Sequence, residues 1–302
     1  MKQLVVLSGK GGTGKTSTTA ALADLAAHER RVVLVDADAD AANLALLFEC
    51  ETVEEKPFLG SALARIDPAE CLACGSCYDV CRFDAVRPGD PFTIDPTACE
   101  GCGACRLACP SRAITMELNR AGSEIQASTR LGPLFYGDLL PGQENSGKLV
   151  AAVRGAGKRV AEETGADLVL IDGPPGIGCP VIAASTGVDL ALLVTEPSLS
   201  ALHDLERVLD TLEHFGVPAV ACINKANLHA GLAARIRSFL RRRGVPCVGE
   251  IPFHPVMRDA VLRRLPATAM GDEDLTSRLH GIWTGVREAL DLEETHRTAA
   301  LS

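Results

Sequence analysis

Directly behind the apolar run Leu4-Val5-Val6-Leu7 stands Gly9-Lys10-Gly11-Gly12-Thr13-Gly14-Lys15-Thr16, four glycines interleaved with two lysines and two threonines. Gly9, Gly14, Lys15 and Thr16 fit the pattern G-x-x-x-x-G-K-S/T. In that pattern glycines let backbone N–H groups close on phosphate oxygens, the lysine meets the β- and γ-phosphates, and the hydroxyl holds Mg²⁺. A plain turn between core elements would have no need of the second lysine, Lys10. The apolar residues that follow Thr16, among them Ala20, Leu22 and Leu25, have helical spacing. The start of such a helix adds partial positive charge where the phosphates would sit.

Carboxylates accompany the loop. The run Arg31-Val32-Val33-Leu34-Val35 ends in Asp36-Ala37-Asp38-Ala39-Asp40, and Asp167-Leu168-Val169-Leu170-Ile171 delivers Asp172 into Gly173-Pro174-Pro175-Gly176. Acids at the carboxyl ends of buried parallel strands lie where α/β sheets place their chemistry. Beside a phosphate loop they are candidates to hold Mg²⁺ or position water, and Asp172 is the expected Mg²⁺ partner. The stiff Pro-Pro-Gly turn is one that a γ-phosphate could reposition as a switch.

Eight of the twelve cysteines fall between Cys71 and Cys109, as Cys71-x₂-Cys74-x₂-Cys77-x₃-Cys81 and Cys99-x₂-Cys102-x₂-Cys105-x₃-Cys109-Pro110. The two runs are a repeat with an offset of 28, which also matches Gly75 with Gly103, Ala85 with Ala113 and Val86 with Ile114. Zinc sites pair two C-x-x-C units instead. The spacing is that of a bacterial two-cluster ferredoxin, where the fourth cysteine of each run ligates the other cluster. It assigns Cys71, Cys74, Cys77 and Cys109 to one 4Fe–4S cluster, and Cys99, Cys102, Cys105 and Cys81 to the second. Where the second run has Pro110 the first has Arg82. A cation there favours a reduced, more negative cluster, so the two potentials are expected to differ.

These groups must be held by a frame, and the rest of the chain reads as one. Strand patterns at 189–195, 217–223 and 247–251 alternate with helical patterns at 200–215 and 228–243. That alternation predicts an α/β fold, a doubly wound and mostly parallel sheet with helices on both faces. From Pro57 proline and glycine rise and helical periodicity vanishes, which predicts a small inserted α+β domain over 57–118 between two parts of the main domain, 1–56 and 119–302. Ser146 can cap the helix at Leu149 to Val160. Leu275, Leu279, Ile282, Val286 and Leu290 form a stripe expected to pack on the domain. The lone cysteines Cys50, Cys179, Cys222 and Cys247 read as small core fillers. Cys179 is the one placed for metal, since it opens a helix after Asp172.

With 302 residues, 47% hydrophobic and 23% charged, the chain is globular, and a net charge of −9 gives no electrostatic footprint for nucleic acid. No apolar run approaches the ~18 residues of a membrane span, and Gln3 enters a strand with no leader pattern before it, so a cytoplasmic location is expected.

With Lys10 included, the loop resembles the deviant Walker A motif of the MinD/Mrp group of SIMIBI P-loop NTPases. The resemblance continues through Asp36-x-Asp38, Asn43, Asp172-Gly173-Pro174-Pro175-Gly176, Asn224-Lys225 and Ile251-Pro252, and with the cysteine runs it is similar to MinD-superfamily ATPases carrying an inserted ferredoxin domain. Those proteins also have segments like Gly142 to Lys148 and Gly176 to Pro180. The resemblance implies ATP held by Gly11, Gly12, Thr13, Gly14, Lys15, Thr16 and Ser17, with Mg²⁺ on Thr16 supported by Asp36 and Asp172. It implies that Asp38 positions the attacking water and that Asn224 and Pro252 meet adenine. Lys10 would reach the phosphates of a partner subunit, in a homodimer or a heterodimer with a paralogous ATPase, so hydrolysis would be slow and dimer-dependent. Three functions follow as expectations: ATP-gated electron transfer to a redox partner, a scaffold delivering clusters or other metallocofactors to an acceptor, or a MinD-like positioning switch.

Overall fold

The computed structural model describes residues 1–39, 42–141 and 146–292. In chain order it contains β1 (Lys2–Ser8), α1 (Lys15–Glu29), β2 (Val32–Asp36), β3 (Cys50–Ile66), α2 (Ser76–Asp79), β4 (Val86–Arg87), β5 (Thr93–Ile94), α3 (Ala104–Ala108), β6 (Ile114–Thr129), β7 (Gly132–Leu139), α4 (Ser146–Thr164), β8 (Leu168–Pro175), α5 (Cys179–Ser185), β9 (Leu190–Thr195), α6 (Leu199–His214), β10 (Ala219–Ile223), α7 (Ala230–Arg242), β11 (Cys247–Glu250), α8 (Pro255–Arg263) and α9 (Glu273–Ala289). The chain forms two compact units. One takes Met1–Glu55, Glu124–Asp138 and the chain from Ser146; the other takes Lys56–Ser123 and the segment from Leu139.

The large sheet runs β11-β10-β9-β1-β8-β2-β7-β6-β3. From β11 through β7 every neighbouring pair is parallel. β1, β2, β8 and β9 are buried almost throughout, which is why they read as continuous apolar runs and not as alternating ones. Successive side chains of a strand face opposite sides, and both sides are covered. Leu4, Val6, Val32 and Leu34 join a core with Leu22 of α1 and Leu279, Ile282 and Trp283 of α9. On the other side a Cβ at Gly157 of α4 would lie 2.6 Å from a methyl of Val35, so α4 approaches β2 at glycine distance. The five stripe residues of the last helix are at most 2% exposed, which settles that helix as a core element.

Several elements depart from the sequence reading. β3 is a strand of 17 residues where no strand was expected, because its Glu- and Lys-rich first half alternates weakly. β8 runs past Asp172 to Pro175, so the Pro-Pro step continues the strand before the turn at Gly176, whose φ is 90°. The helix α8 after Pro252 was not anticipated; His254 caps it, its Nδ1 accepting from the Val256 N–H, and Pro255 starts it. Asp40, residues 142–145 and the capping role expected of the Ser146 side chain lie outside the described residues.

Three of the four lone cysteines are not the fillers expected. Only Cys222 is buried, and burial raises its thiol pKa far above the usual range; Cys50, Cys179 and Cys247 are exposed. Cys247 lies on the edge strand β11 and Cys179 opens α5 at the surface, so strand or helix position alone did not imply a core environment.

Candidate functional site

Parallel order places the carboxyl ends of five neighbouring strands in one row, and each delivers a group. In the order β10, β9, β1, β8, β2 these are Asn224, Glu196, the glycine-rich loop, Asp172 and Asp36.

The loop connects β1 to α1. Gly12 and Gly14 have φ of 81° and 89°, a region closed to most side chains. Gly14 is also pressed against a neighbour: a Cβ there would come within 2.2 Å of Asn224 Nδ2. That amide donates to the Thr13 carbonyl at 2.7 Å, and the Asn224 Oδ1 accepts from the Lys225 N–H at 2.9 Å. Lys225 itself, held at φ 55°, donates from Nζ to the Gly12 carbonyl at 2.8 Å. The loop is therefore fixed from the β10 side by two residues in series. Thr13 is 1% exposed with a hydroxyl that has no partner.

Beneath the loop lies an acid pair. β2 and β8 are in register at Asp36 and Asp172, which are 0% and 1% exposed. Asp172 accepts from the Thr16 hydroxyl at 2.7 Å and the Thr19 hydroxyl at 2.8 Å, with Lys15 Nζ at 3.0 Å. Asp36 accepts from the backbone N–H groups of Asp38 at 3.0 Å and Leu44 at 2.8 Å. Burial, and then the charge of Asp172, push the Asp36 carboxyl up to about 8, against the pull of Leu44 N–H and Lys15. Lys15 Nζ is also 3.8 Å from Asp38. Although it pairs by distance, this buried ammonium makes no aligned hydrogen bond, so its donors remain available to an anion above it. Oxygen donors alone (Thr16, Asp172, Asp36) form the set that suits Mg²⁺.

Lys10, predicted to serve a partner subunit, has neighbours in its own chain. Its Nζ is 2.7 Å from Glu196 and 3.3 Å from the hydroxyls of both Ser198 and Ser200. Glu196 also receives Lys225 at 2.8 Å. Burial would raise the Glu196 carboxyl, but the two lysines hold it below its usual range. The sequence reading passed over Glu196. Its signal was the one that found Asp36 and Asp172, an acid just past the end of an apolar strand.

The other predicted residues are less central. Asn43 is exposed and starts a short 3₁₀ turn at 44–47, while the neighbouring Leu44 N–H reaches Asp36. Pro252 is half-buried behind Ile251, whose backbone bonds Ile223 and Ala226 at 2.9 Å each and so joins the Asn224-Lys225 turn to this segment. Asn224 is 4% exposed with its amide committed to the loop. Ser17 lies in the first turn of α1, half-buried.

The cysteine module is a second candidate, described by itself. Its sequence repeat is also a backbone repeat. Positive φ recurs at Ala73 and Gly101, at Gly75 and Gly103, and at Asp84 and Arg112, each pair 28 apart. The Asp67 N–H donates to the Ala113 carbonyl at 2.8 Å and the Asp95 N–H to the Ala85 carbonyl at 2.7 Å, so each half bonds the other reciprocally. Cys77, Ala64, Val86 and Ile114 form a small core, with Cys81, Cys99, Cys105 and Cys109 packed on it. Cys77 feels the charges of Cys71 and Cys74, and Cys105 those of Cys99 and Cys102, while burial raises both thiols. Among the described residues no three His, Cys, Asp or Glu side chains gather where a single metal ion could sit.

Comparison with known proteins follows the same outline. Residues 4–267 match the model of the CobQ/CobB/MinD/ParA nucleotide binding domain. An uncharacterized protein of Methanocaldococcus jannaschii, MJ0578, is 38% identical over 227 residues, 75% of this chain and 79% of that protein. A putative septum site-determining protein MinD of Chlorella vulgaris is 27% identical over 82% of this chain and 71% of its own length. Among solved structures, Pyrococcus horikoshii MinD in complex with Mg-ADP superposes with a TM-score of 0.56 at 20% identity, covering 94% of this chain and 95% of that one. The ATP complex of Cyanothece McdA(D38A) gives 0.58 at 20% identity, covering 98% and 99%.

Proposed function

We propose, for a chain that belongs to the CobQ/CobB/MinD/ParA nucleotide-binding family, that it binds Mg-ATP on the β1–α1 loop and hydrolyses it to ADP and phosphate as a nucleotide-dependent switch. The observation that carries this is the group of Lys15, Thr16, Asp172 and Asp36 under a loop in which Gly9 and Gly14 have no room for a side chain and Gly12 and Gly14 have positive φ. Thr16, with Asp172 and Asp36 behind it, would hold Mg²⁺, which supplies charge neutralisation at the phosphates. Lys15 and the loop N–H groups would bind the phosphate oxygens, and Asp38, 3.8 Å from Lys15, would position water. Lys10 would leave Glu196 and complete the site of a second subunit, which makes turnover depend on dimer formation. The Lys10→Ala variant tests this. ATP should still bind while hydrolysis collapses, and unchanged turnover per subunit across protein concentrations would overturn the cross-subunit role.

A second reading concerns what the switch carries, and the reciprocal 28-residue backbone repeat favours it. We infer that the cysteine module holds two 4Fe–4S clusters, on Cys71, Cys74, Cys77 and Cys109 and on Cys99, Cys102, Cys105 and Cys81. A cubane is bound at separate iron corners, so its thiolates surround a body and do not converge on a point, and exchange of the fourth ligand needs the two-fold relation that the repeat supplies. Nucleotide-driven closure would then gate electron transfer to a partner. Iron and sulfide counts after anaerobic purification test it, with about eight irons per chain expected for two such clusters. Iron that leaves with an apo-acceptor on addition of ATP would support cofactor delivery instead, and none bound would leave the nucleotide switch alone.

A further inference from the structure

The two halves of the cysteine module share a backbone but not a surface. In the second half an open hollow of about 940 Å³ is lined by Cys102, Arg106, Leu107, Cys109, Arg112 and Thr115 among others, and no carboxylate lines it. At the related positions, 28 residues earlier, Arg106, Leu107 and Arg112 correspond to Tyr78, Asp79 and Asp84. At these three positions one backbone carries two acids in the first half and two arginines in the second, although elsewhere Arg82 of the first half corresponds to Pro110.

Of the other arginines of this unit, Arg65 pairs with Glu117, Arg87 pairs with Asp95 and Arg120 donates to Gly122 and Ser123, while Arg82 in the first half has no such pair among the described residues and lies outside this hollow. Among the described residues the guanidiniums of Arg106 and Arg112 have no ionic or hydrogen-bonding partner, and the Arg112 backbone is held at φ 60° in the turn. Between them Leu107 is 90% exposed, more than any other large apolar side chain described. An exposed aliphatic flanked by unpaired arginines is the composition of an interface centre, where the apolar group desolvates and the cations select the partner's charge.

We propose that this hollow is the docking face for a small acidic electron-carrier protein, which exchanges one electron with the cysteine-bound clusters through the Cys102 and Cys109 edge. The inference rests on the cluster reading above. In the exchange the carrier's reduced cofactor loses one electron and a cluster in its oxidised state gains it; no bond is made or broken. An anionic carrier is favoured because both unpaired charges are positive and no acid offsets them.

The test uses iron-loaded full-length protein and, as probe, an anionic flavodoxin reduced beforehand, with cluster bleaching followed by anaerobic stopped flow. The second-order rate should fall with rising salt and drop on the order of tenfold or more in Arg106→Glu/Arg112→Glu, with a smaller loss in Leu107→Ser. Reduction by photoexcited deazaflavin, a small neutral donor, should be unchanged in both variants, which separates docking from cluster damage. The control Asp79→Arg/Asp84→Arg should be as fast as wild type or faster. Equal rates in wild type and the Arg106→Glu/Arg112→Glu variant would overturn the proposal. So would salt-dependent binding of a single-stranded oligonucleotide, or a self-association, that this double variant abolishes. A preparation that binds no iron would instead fail the cluster reading; flavodoxin binding to that protein, measured by calorimetry, would still decide the docking face.

Discussion

Replacing Asp36 by asparagine should change how the stability of the nucleotide-binding unit depends on pH. In the metal-free protein this carboxyl is fully buried, faces Asp172 across two strands, and has its proton affinity raised from 3.8 to about 8. The folded state thus keeps a proton that the unfolded chain gives up near pH 4, and stability falls as pH rises from about 4 to about 8. At about 1.36 kcal/mol for each unit the ceiling of that loss is about 6 kcal/mol, and the proton belongs to the pair. The Asp36→Asn side chain has nothing to ionise, and the remaining Asp172 is compensated by Lys15, Thr16 and Thr19. The substitution has its own cost, because one of the two N–H groups that Asp36 accepts would meet an amide NH₂, worth about 1–3 kcal/mol. The variant should therefore be less stable than wild type near pH 5 and equal or more stable near pH 8. Trp283 is the one tryptophan of the chain, 0% exposed and packed in the same core, so its fluorescence reports this unit alone. Urea midpoints in EDTA at pH 5, 6, 7 and 8, with equal m-values, provide the measurement. Midpoints of wild type and variant that move in parallel would refute the protonated pair. Mg²⁺, if held by this acid pair as proposed, would displace the proton and should flatten the wild-type slope.

Glu196→Gln should free Lys10 and Lys225 from a shared carboxylate and tighten ATP several-fold at low salt, roughly 1 kcal/mol from two half-screened pairs, with adenosine affinity unchanged; equal ATP affinity in a fluorescent-analogue titration would contradict the pairing. Gly14→Ala places a Cβ against the Asn224 amide at φ 89°, so ATP binding should be lost and the melting temperature lowered, whereas Gly11→Ala, with open space around it, should retain binding. Trp283→Ala should destabilise the unit by about 3–5 kcal/mol in urea titrations without altering the residual nucleotide affinity of the folded fraction. If the cysteine runs hold the two proposed clusters, an EPR-monitored titration should show separate midpoint potentials, with Arg82→Pro bringing them together.

What was legible in the sequence is what local backbone needs impose on residue type. Gly12 and Gly14 announce positive φ, the β1, β2, β8 and β9 runs announce burial on both faces, and the equal spacing of Gly75 and Gly103 marks one turn built twice. Cys222, Cys247 and Cys179 show the limit. Each stands in a regular element, yet only the first lies on a strand covered by neighbours on both edges, and exposure of the others depends on strand order and helix position.

Strand order also explains why Glu196 escaped notice while Asp36 and Asp172 did not. The two aspartates were read beside a known loop, and their motif carries its own context. Glu196 gains meaning only because β9 lies between β1 and β10, which brings Lys10 of one loop and Lys225 of another to a single carboxylate although they are 215 positions apart. The same order sets Asn224 against Gly14. The site is thus a row of strand ends read across the sheet, and the row divides by function. β8 and β2 bring the buried acids that would serve Mg²⁺, while β9 and β10 bring the groups that fix the loop and restrain Lys10. If Lys10 must leave Glu196 to serve a second subunit, then the β9 end sets the cost of dimer completion, and the Glu196→Gln variant should dimerise with ATP at lower protein concentration than wild type. Sedimentation of the two proteins with non-hydrolysable ATP measures that difference, and identical dissociation constants would confine Glu196 to holding the loop.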